Sequence, residues 1–155
     1  MPLVPGEPAF ICGVGVDVVE TQRMDGVYLR HGERLVRRLC SARESDAVTR
    51  DPFPPRALAL VFALKEAVMK ALGTGMRGVS WKEIDTSAGA QGPITHLVSG
   101  QALSAAIRRG AVRFYVASAS SAHLVVGAAL LSSREPEPGG PDPAALLCKA
   151  LESAV

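Results

Sequence analysis

The spacing of apolar and polar residues divides the first half of the chain into one strand and three helices. Residues 10–20 are apolar and β-branched, which predicts a buried strand. Arginine, leucine and valine at helical spacing predict a helix over residues 23–39. Ser41 followed by Glu44 is a capping-box pattern, and it predicts a short second helix that runs to about Val48.

The best-formed helix is predicted over residues 56–72. A turn over residues 51–55 precedes it, and Pro55 suits the first turn of the helix because proline has no amide hydrogen to leave unpaired there. Gly73 follows the last apolar residue and is placed to end the helix as a C-cap.

The second half of the chain has shorter elements. In order, they are strands over residues 84–87 and 94–98 joined by a glycine-rich turn at 88–93, a helix over 101–109 ended by Gly110, and strands over 112–118 and 124–131. Strands and helices are mixed without a regular βαβ alternation. This favours an α+β fold over a doubly wound parallel sheet.

Proline and glycine mark the limits of one domain. Residues 1–9 contain three prolines and predict a loose lead-in, and residues 132–143 contain four prolines and two glycines and predict a linker. Residues 10–131 then form the domain, and residues 144–155 form a helical extension that either packs on it or stays mobile. At 155 residues with 48% hydrophobic composition, the chain can build one substantial core.

Composition excludes several classes of protein. The net charge of +2 excludes a strongly charged polyelectrolyte. The three cysteines are widely spaced, which disfavours a disulfide framework or a zinc site. We find no unbroken apolar run long enough to span a bilayer and no cationic start followed by an apolar run. We therefore expect a cytoplasmic protein that does not associate with membranes.

Asp17 places a charge inside the predicted first strand. An unpaired buried carboxylate costs on the order of several kcal/mol, so Asp17 should have a partner. An arginine or a backbone turn would make that role structural, whereas a metal ion or a phosphate would make it functional, and the residues leave both open. Gly13 and Gly15 lie on the same strand face, where a ligand or another backbone can approach closely.

Three charges interrupt the long helix, which is otherwise apolar on most sides. They are Lys65, Glu66 and Lys70, with Glu66 and Lys70 in the favourable i,i+4 orientation. Such a pair is ordinarily solvated and contributes only ~0.3–0.5 kcal/mol. A charged notch in a helix that is buried on most sides indicates a functional site instead.

Residues 73–78 match the pattern GxGxxG, but they follow a helix, and a dinucleotide-binding fold requires a strand at that point. We exclude that fold. The amides of this loop remain candidates for binding a phosphate beside Lys70.

Arginines repeat along one face of the first helix, at positions 23, 30, 34 and 37. A solvated charged face is the commonest explanation of such a pattern. The functional alternative is a docking surface for an acidic protein, since complementary charge speeds encounter. Nucleic-acid binding fits less well, because the net charge is near neutral and the chain has no nucleic-acid-binding motif.

Taken in order, these motifs resemble one family. They are GVGVDVVE at residues 13–20, Arg23, FALKEAVMKALGTG at residues 62–75, and Ser80-Trp81. From about residue 11 to residue 131 the chain resembles holo-[acyl-carrier-protein] synthase, the small stand-alone class of 4′-phosphopantetheinyl transferases. The pattern FAxKEAxxKAxGxG is the specific part of this resemblance.

The resemblance implies a small antiparallel sheet packed on a long helix, assembled as a homotrimer with active sites between protomers. It also implies an enzyme of fatty-acid or polyketide synthesis. That enzyme transfers 4′-phosphopantetheine from coenzyme A to a serine of an acidic apo acyl carrier protein and releases adenosine 3′,5′-bisphosphate.

Individual residues acquire roles through the same resemblance. Glu66, Asp17 and Lys70 would be catalytic, with Asp17 and Glu66 binding Mg²⁺, which typically takes one or two carboxylates together with substrate phosphate. Glu66, or a water that it orients, would accept the serine proton. The residues that would contact coenzyme A are Lys65, Lys70, Gly73, Gly75, Pro93 and Ser120. The residues that would dock the carrier protein are Arg23, Arg30 and Arg34.

Three positions depart from the family pattern. Val61 stands where the family usually has arginine, and Gly92 stands where it usually has a basic residue. Ser120 stands at the position that matches the usual Ser-His pair of the family. Because each charge-assisted contact contributes about 1.5–3 kcal/mol, these changes predict weaker coenzyme A binding, unless another arginine compensates. The candidates for compensation are Arg56, Arg77 and Arg113. A non-catalytic relative that still binds carrier protein is the alternative function.

Overall fold

The computed structural model describes residues 11–87, 91–93 and 99–153. Its elements are β1 (Ile11–Glu20), α1 (Thr21–Leu39), α2 (Ala42–Arg50), α3 (Pro54–Leu72), a 3₁₀ turn (Trp81–Glu83), β2 (Gln91–Pro93), α4 (Gly100–Arg108), β3 (Arg113–Ser120), β4 (Leu124–Ser132) and α5 (Pro143–Glu152). The strands form one antiparallel sheet in the order β1-β4-β3-β2. The predicted α+β fold is confirmed.

Helix α3 packs across β1 and β4 at backbone-to-backbone distance. A Cβ atom on Gly15 would stand 1.9 Å from the carbonyl oxygen of Ala67, and one on Gly13 would stand 2.3 Å from that of Ala71. Gly127 on β4 meets the same helix. Of the two explanations for the glycines of the first strand, close approach of another backbone is the one observed.

The helix ends follow the predicted signals. The hydroxyl oxygen of Ser41 accepts a hydrogen bond from the Glu44 amide at 3.3 Å, and the Glu44 carboxylate accepts one from the Ser41 amide at 2.7 Å. Gly73 ends α3 in the left-handed region, with φ +69°. The predicted capping box and C-cap are confirmed.

The predictions for residues 85–87 and 91–93 are wrong. Ile84 is buried in the core, but residues 85–87 form no strand, because the Ser87 amide bonds to the Asp85 carboxylate and Thr86 bonds to Glu44. The predicted turn contains strand β2, which pairs with β3. The strand predicted at 94–98 lies outside the described residues.

The C-terminal helix packs on the domain. Leu151 of α5 is buried against Ala117 and Ala128 on the sheet face opposite α3, with Leu147 beside it. Asp142 caps the helix by accepting a hydrogen bond from the Ala144 amide at 3.0 Å. The division into lead-in, domain, linker and extension remains a prediction. None of the helices in the described ranges is long and apolar enough to cross a membrane.

Candidate active site

A cleft of about 580 Å³ opens where the end of β1 meets helices α1 and α3. Asp17 from β1 and both Glu66 and Lys70 from α3 form its charged end, and Glu20 and Arg23 stand at the junction of β1 and α1. The rest of the wall is mostly apolar and includes Met24, Val27, Leu35 and Phe62. The structure thus brings together the three residues that the sequence predicts to be catalytic.

Asp17 finds its partner on the long helix. The ammonium of Lys70 donates to the Asp17 carboxylate at 2.7 Å and to the carbonyl oxygen of Val16 at 2.9 Å. The Asp17 side chain is 16% exposed and that of Lys70 is 47% exposed, so the pair lies at the mouth of the cleft. Lys70 therefore bridges strand and helix instead of forming the solvated pair with Glu66 that helical spacing alone permits.

Glu66 lies close enough to Asp17 for the two carboxylates to repel each other. Burial raises the pKa of the Glu66 carboxyl above its usual value, and the Asp17 charge raises it further, while Lys70 acts in the opposite direction. Two carboxylates that share a partly buried site hold a proton or a cation more readily than either does alone.

The donor set of the cleft fits Mg²⁺ better than it fits a closed metal centre. Over residues 11–87, 91–93 and 99–153, no group of three or more His, Cys, Asp or Glu side chains is arranged to hold a metal ion. Zinc ordinarily takes three or four such ligands, whereas Mg²⁺ is commonly bound by one or two carboxylates, water and substrate phosphate. Asp17 and Glu66 match the second pattern.

Lys65 does not lie in the cleft. Its side chain is fully buried, and its ammonium donates to the carbonyl oxygens of Leu39 at 2.7 Å and Trp81 at 2.8 Å and pairs with Glu44 at 2.6 Å. An ammonium has three hydrogens, and all three are used. The expectation that Lys65 contacts coenzyme A phosphate is therefore corrected: its position makes it a structural residue.

The glycine loop after α3 also differs from expectation. The amide of Gly73 donates to the carbonyl oxygen of Lys70, and those of Thr74 and Gly75 donate to the carbonyl oxygen of Met69. These amides satisfy the carbonyls at the end of the helix, as a C-cap does. They are not free to bind a phosphate in this conformation, so Gly73 and Gly75 are corrected to capping residues.

The remaining predicted contacts lie outside the cleft of a single chain. Ser120 ends β3 and accepts a hydrogen bond from the Arg56 guanidinium at 3.0 Å, while Pro93 pairs with β3 through β2. Among the candidate replacements for a missing charge, Arg56 is thus the one in contact with Ser120. Val61, where the family pattern has arginine, packs in the core.

The arginines that the resemblance assigns to carrier-protein docking lie on the surface of α1. Arg23 lines the cleft, and Arg30 and Arg34 are exposed further along α1. The sequence did not reveal two other contributions. Phe62 lines the cleft and stacks on Trp81 with ring centroids 5.1 Å apart, and Glu44, which looked like a helix cap only, is also the partner of Lys65. The members of each pair, Phe62 with Trp81 and Glu44 with Lys65, are far apart along the chain, so the spacing of residue types in the sequence does not reveal their contact.

Comparison with known proteins identifies the family. The family model described as the 4′-phosphopantetheinyl transferase superfamily matches residues 13–126, most of the chain. The chain belongs to this superfamily. The resemblance read from the sequence motifs is confirmed.

Individual proteins that are similar to this transferase are holo-[acyl-carrier-protein] synthases. The holo-[acyl-carrier-protein] synthase of Salmonella arizonae is 36% identical over 125 residues, which cover 80% of this chain and 95% of the relative. The crystal structure of the Neisseria meningitidis holo-[acyl-carrier-protein] synthase matches with a TM-score of 0.64 and 27% identity, over 81% of this chain and all of that one. The Helicobacter pylori synthase, solved in complex with coenzyme A, shares the fold with a TM-score of 0.58 and 20% identity, over 77% of this chain and 99% of that one.

Proposed function

We propose that this transferase moves 4′-phosphopantetheine from coenzyme A to a serine of an apo acyl carrier protein. The serine oxygen bonds to the phosphorus of the phosphopantetheine group, and the phosphorus–oxygen bond to adenosine 3′,5′-bisphosphate breaks. The observation that carries this proposal is the meeting of Asp17, Glu66 and Lys70 in one cleft, in a chain that is 36% identical to a curated holo-[acyl-carrier-protein] synthase.

Asp17, Glu66 and Lys70 have different roles in the proposed reaction. Asp17 and Glu66 would hold Mg²⁺, which would neutralise the pyrophosphate and stabilise the leaving group. The Glu66 carboxylate, or a water that it orients, accepts the proton of the attacking serine hydroxyl. Lys70 keeps the Asp17 carboxylate in place and offers its exposed ammonium to phosphate oxygens, where charge develops in the transition state.

The partner protein follows from the charge of α1. Arg23 joins the cleft to a row of exposed arginines that includes Arg30 and Arg34, and an acidic carrier protein complements that row. A carrier of fatty-acid or polyketide synthesis is the proposed substrate, and a cytoplasmic location remains a prediction.

We also propose that the active enzyme is a homotrimer. Val14, Val16 and Val18 are 58%, 48% and 54% exposed on the face of β1 that points away from α3. An exposed apolar stripe of this kind supports contact with a second copy of the chain. An active site between protomers would also account for the location of Ser120 and Pro93 outside the cleft of their own chain.

The test is the intact mass of a purified apo carrier protein after incubation with this transferase, coenzyme A and Mg²⁺. The expected result is a mass gain of one phosphopantetheinyl group. The rate of the gain should fall at least a hundredfold with Glu66→Gln, because general acid–base catalysis alone contributes about 10²–10⁴-fold. It should also fall with Asp17→Asn, because this change removes a carboxylate that would hold Mg²⁺. Asp46→Asn, an exposed carboxylate on α2, is the matched control and should leave the rate unchanged.

The outcomes separate two functions. No mass gain on several carrier proteins that nevertheless bind would identify a non-catalytic relative and overturn the proposal. A mass gain that persists without Mg²⁺ or in the Glu66→Gln variant would leave the reaction standing and remove the proposed role of the carboxylate pair.

A further inference from the structure

Glu44 and Lys65 form an ion pair that is excluded from solvent. The Lys65 nitrogen lies 2.6 Å from a Glu44 oxygen, and the two side chains are 0% and 1% exposed. Well-packed apolar residues often stabilise such a position as well as the ion pair does, because removing two charges from water is costly. Stability alone is thus a weak explanation for this ion pair. The segments of the chain that it connects are a better guide to its role.

The pair joins α1, α2 and α3 to the segment over residues 81–86. Lys65 on α3 donates to the last residue of α1, Leu39, and to Trp81 in the 3₁₀ turn. Glu44 on α2 accepts hydrogen bonds from the Thr86 amide at 2.7 Å and the Thr86 hydroxyl at 2.8 Å. Every hydrogen of the ammonium and both carboxylate oxygens have partners. A fully satisfied network of this kind permits one arrangement of the segments it holds.

Two of those segments, α1 and α3, line the cleft. On α1, Leu35 lines the cleft one turn before Leu39, and on α3, Glu66 follows Lys65 directly. Phe62 lines the same wall and stacks on Trp81, whose carbonyl oxygen accepts a hydrogen bond from Lys65. The ion pair therefore lies behind the cleft and joins the helix with the docking arginines to the helix with Glu66.

Asp17, at the charged end of the cleft, is held near α3 by contacts that do not include this ion pair. Asp17 on β1 is held near α3 by the glycine contacts of the sheet and by Lys70, and neither involves Glu44 or Lys65. Loss of the ion pair should thus alter the position of α1 relative to Glu66 without moving Asp17 and Lys70 away from Glu66.

We infer that Glu44 and Lys65 are positioning residues of this transferase, which align the carrier-docking helix α1 with Glu66. The inference rests on the proposed function. It assigns a specific kinetic consequence to a pair that touches no substrate: the pair determines how the carrier protein is presented and leaves coenzyme A binding unchanged.

The test replaces both charges together, with Lys65→Met and Glu44→Leu in one chain. We expect the KM for the carrier protein to rise roughly fivefold or more and kcat to fall by about tenfold, while the KM for coenzyme A stays within about twofold, since a small misplacement of reacting groups is costly in rate. The emission of Trp81, the only tryptophan in the chain, should shift because its carbonyl partner is lost.

Leu151→Ala is the matched control. It removes a buried side chain between α5 and the sheet, away from the cleft, so it should lower the Tm and leave both KM values unchanged. Glu44→Gln is the second variant, used if the double variant fails to fold. It keeps the shape of the side chain while removing its charge, and the same rise in carrier KM is expected.

Several results would overturn the inference. One is a folded double variant in which both the carrier KM and the Trp81 spectrum are unchanged. Another is a fall in kcat with both KM values constant, because that result indicates only a smaller fraction of folded protein. An equal rise in both KM values would also overturn it. Absence of transfer by the unsubstituted chain would instead overturn the proposed function, and it is distinguishable because the Trp81 spectrum needs no substrate.

Discussion

Gly15 is the residue that fixes how closely strand β1 and helix α3 approach. A methyl group at this position would meet the Ala67 carbonyl oxygen at 1.9 Å, so Gly15→Ala must force the two elements apart. We expect it to lower the free energy of unfolding by about 1–3 kcal/mol, the usual cost of overpacking. Urea denaturation followed by circular dichroism measures this change.

Gly26→Ala is the control for that prediction. Gly26 lies within α1, where the nearest atom to an added methyl group would be 3.6 Å away on Arg30, an ordinary contact distance. Alanine is favoured over glycine in a helix by roughly 1 kcal/mol, so this variant should be neutral or more stable. Equal destabilisation by the two substitutions would contradict the close-approach explanation.

The charged residues of α3 show where prediction from the sequence ends at this scale. The motif identified Asp17, Glu66 and Lys70 correctly as neighbours in the cleft, because residue type and order carry that information. It also placed Lys65 there, although Lys65 turns into the core and bonds to Leu39, Trp81 and Glu44. Those partners lie 16 to 26 residues away, and their positions depend on tertiary packing.

Helix α1 is the element whose charge should govern carrier binding. The double variant Arg30→Glu/Arg34→Glu reverses two exposed charges, and we expect the KM for an acidic carrier to rise roughly fivefold or more at low salt. The effect should shrink as salt screens these exposed charges. Steady-state kinetics at several salt concentrations measures both.

Arg43→Glu/Arg50→Glu on α2 makes the same change in net charge on a different helix. Its carrier KM should stay near that of the unsubstituted chain. A similar rise in both double variants would show that net charge matters and that α1 has no special role.

Helices and strands could be predicted from the sequence where residues close together along the chain specify them. Helices α1, α2 and α3 follow from periodicity, the Ser41–Glu44 capping box and Gly73, all of which act within a few residues. Strand β2 was missed because its three residues include a glycine and a proline, and they form a strand only by pairing with β3.

The exposed stripe on β1 makes a prediction for the whole molecule. Light scattering should give a mass near three times the 16.2 kDa of one chain. Val16→Lys introduces a charge into the stripe and should shift the mass towards that of one chain, because burying an unpaired ammonium is costly. Leu29→Lys is the control, since Leu29 is 86% exposed on α1 and its replacement should leave the mass unchanged. A monomeric unsubstituted chain would contradict the prediction.

The contact of α3 with the glycines of β1 also bears on how this protein can change. Because main-chain atoms set the spacing between the strand of Asp17 and the helix of Glu66, apolar side chains elsewhere in the core can be exchanged without moving the two carboxylates. An inherited catalytic geometry can thus survive extensive drift in the sequence around it. For protein engineering, this separates two tasks: the core can be redesigned for heat tolerance while Gly13 and Gly15 of β1 and Gly127 of β4 are left unaltered.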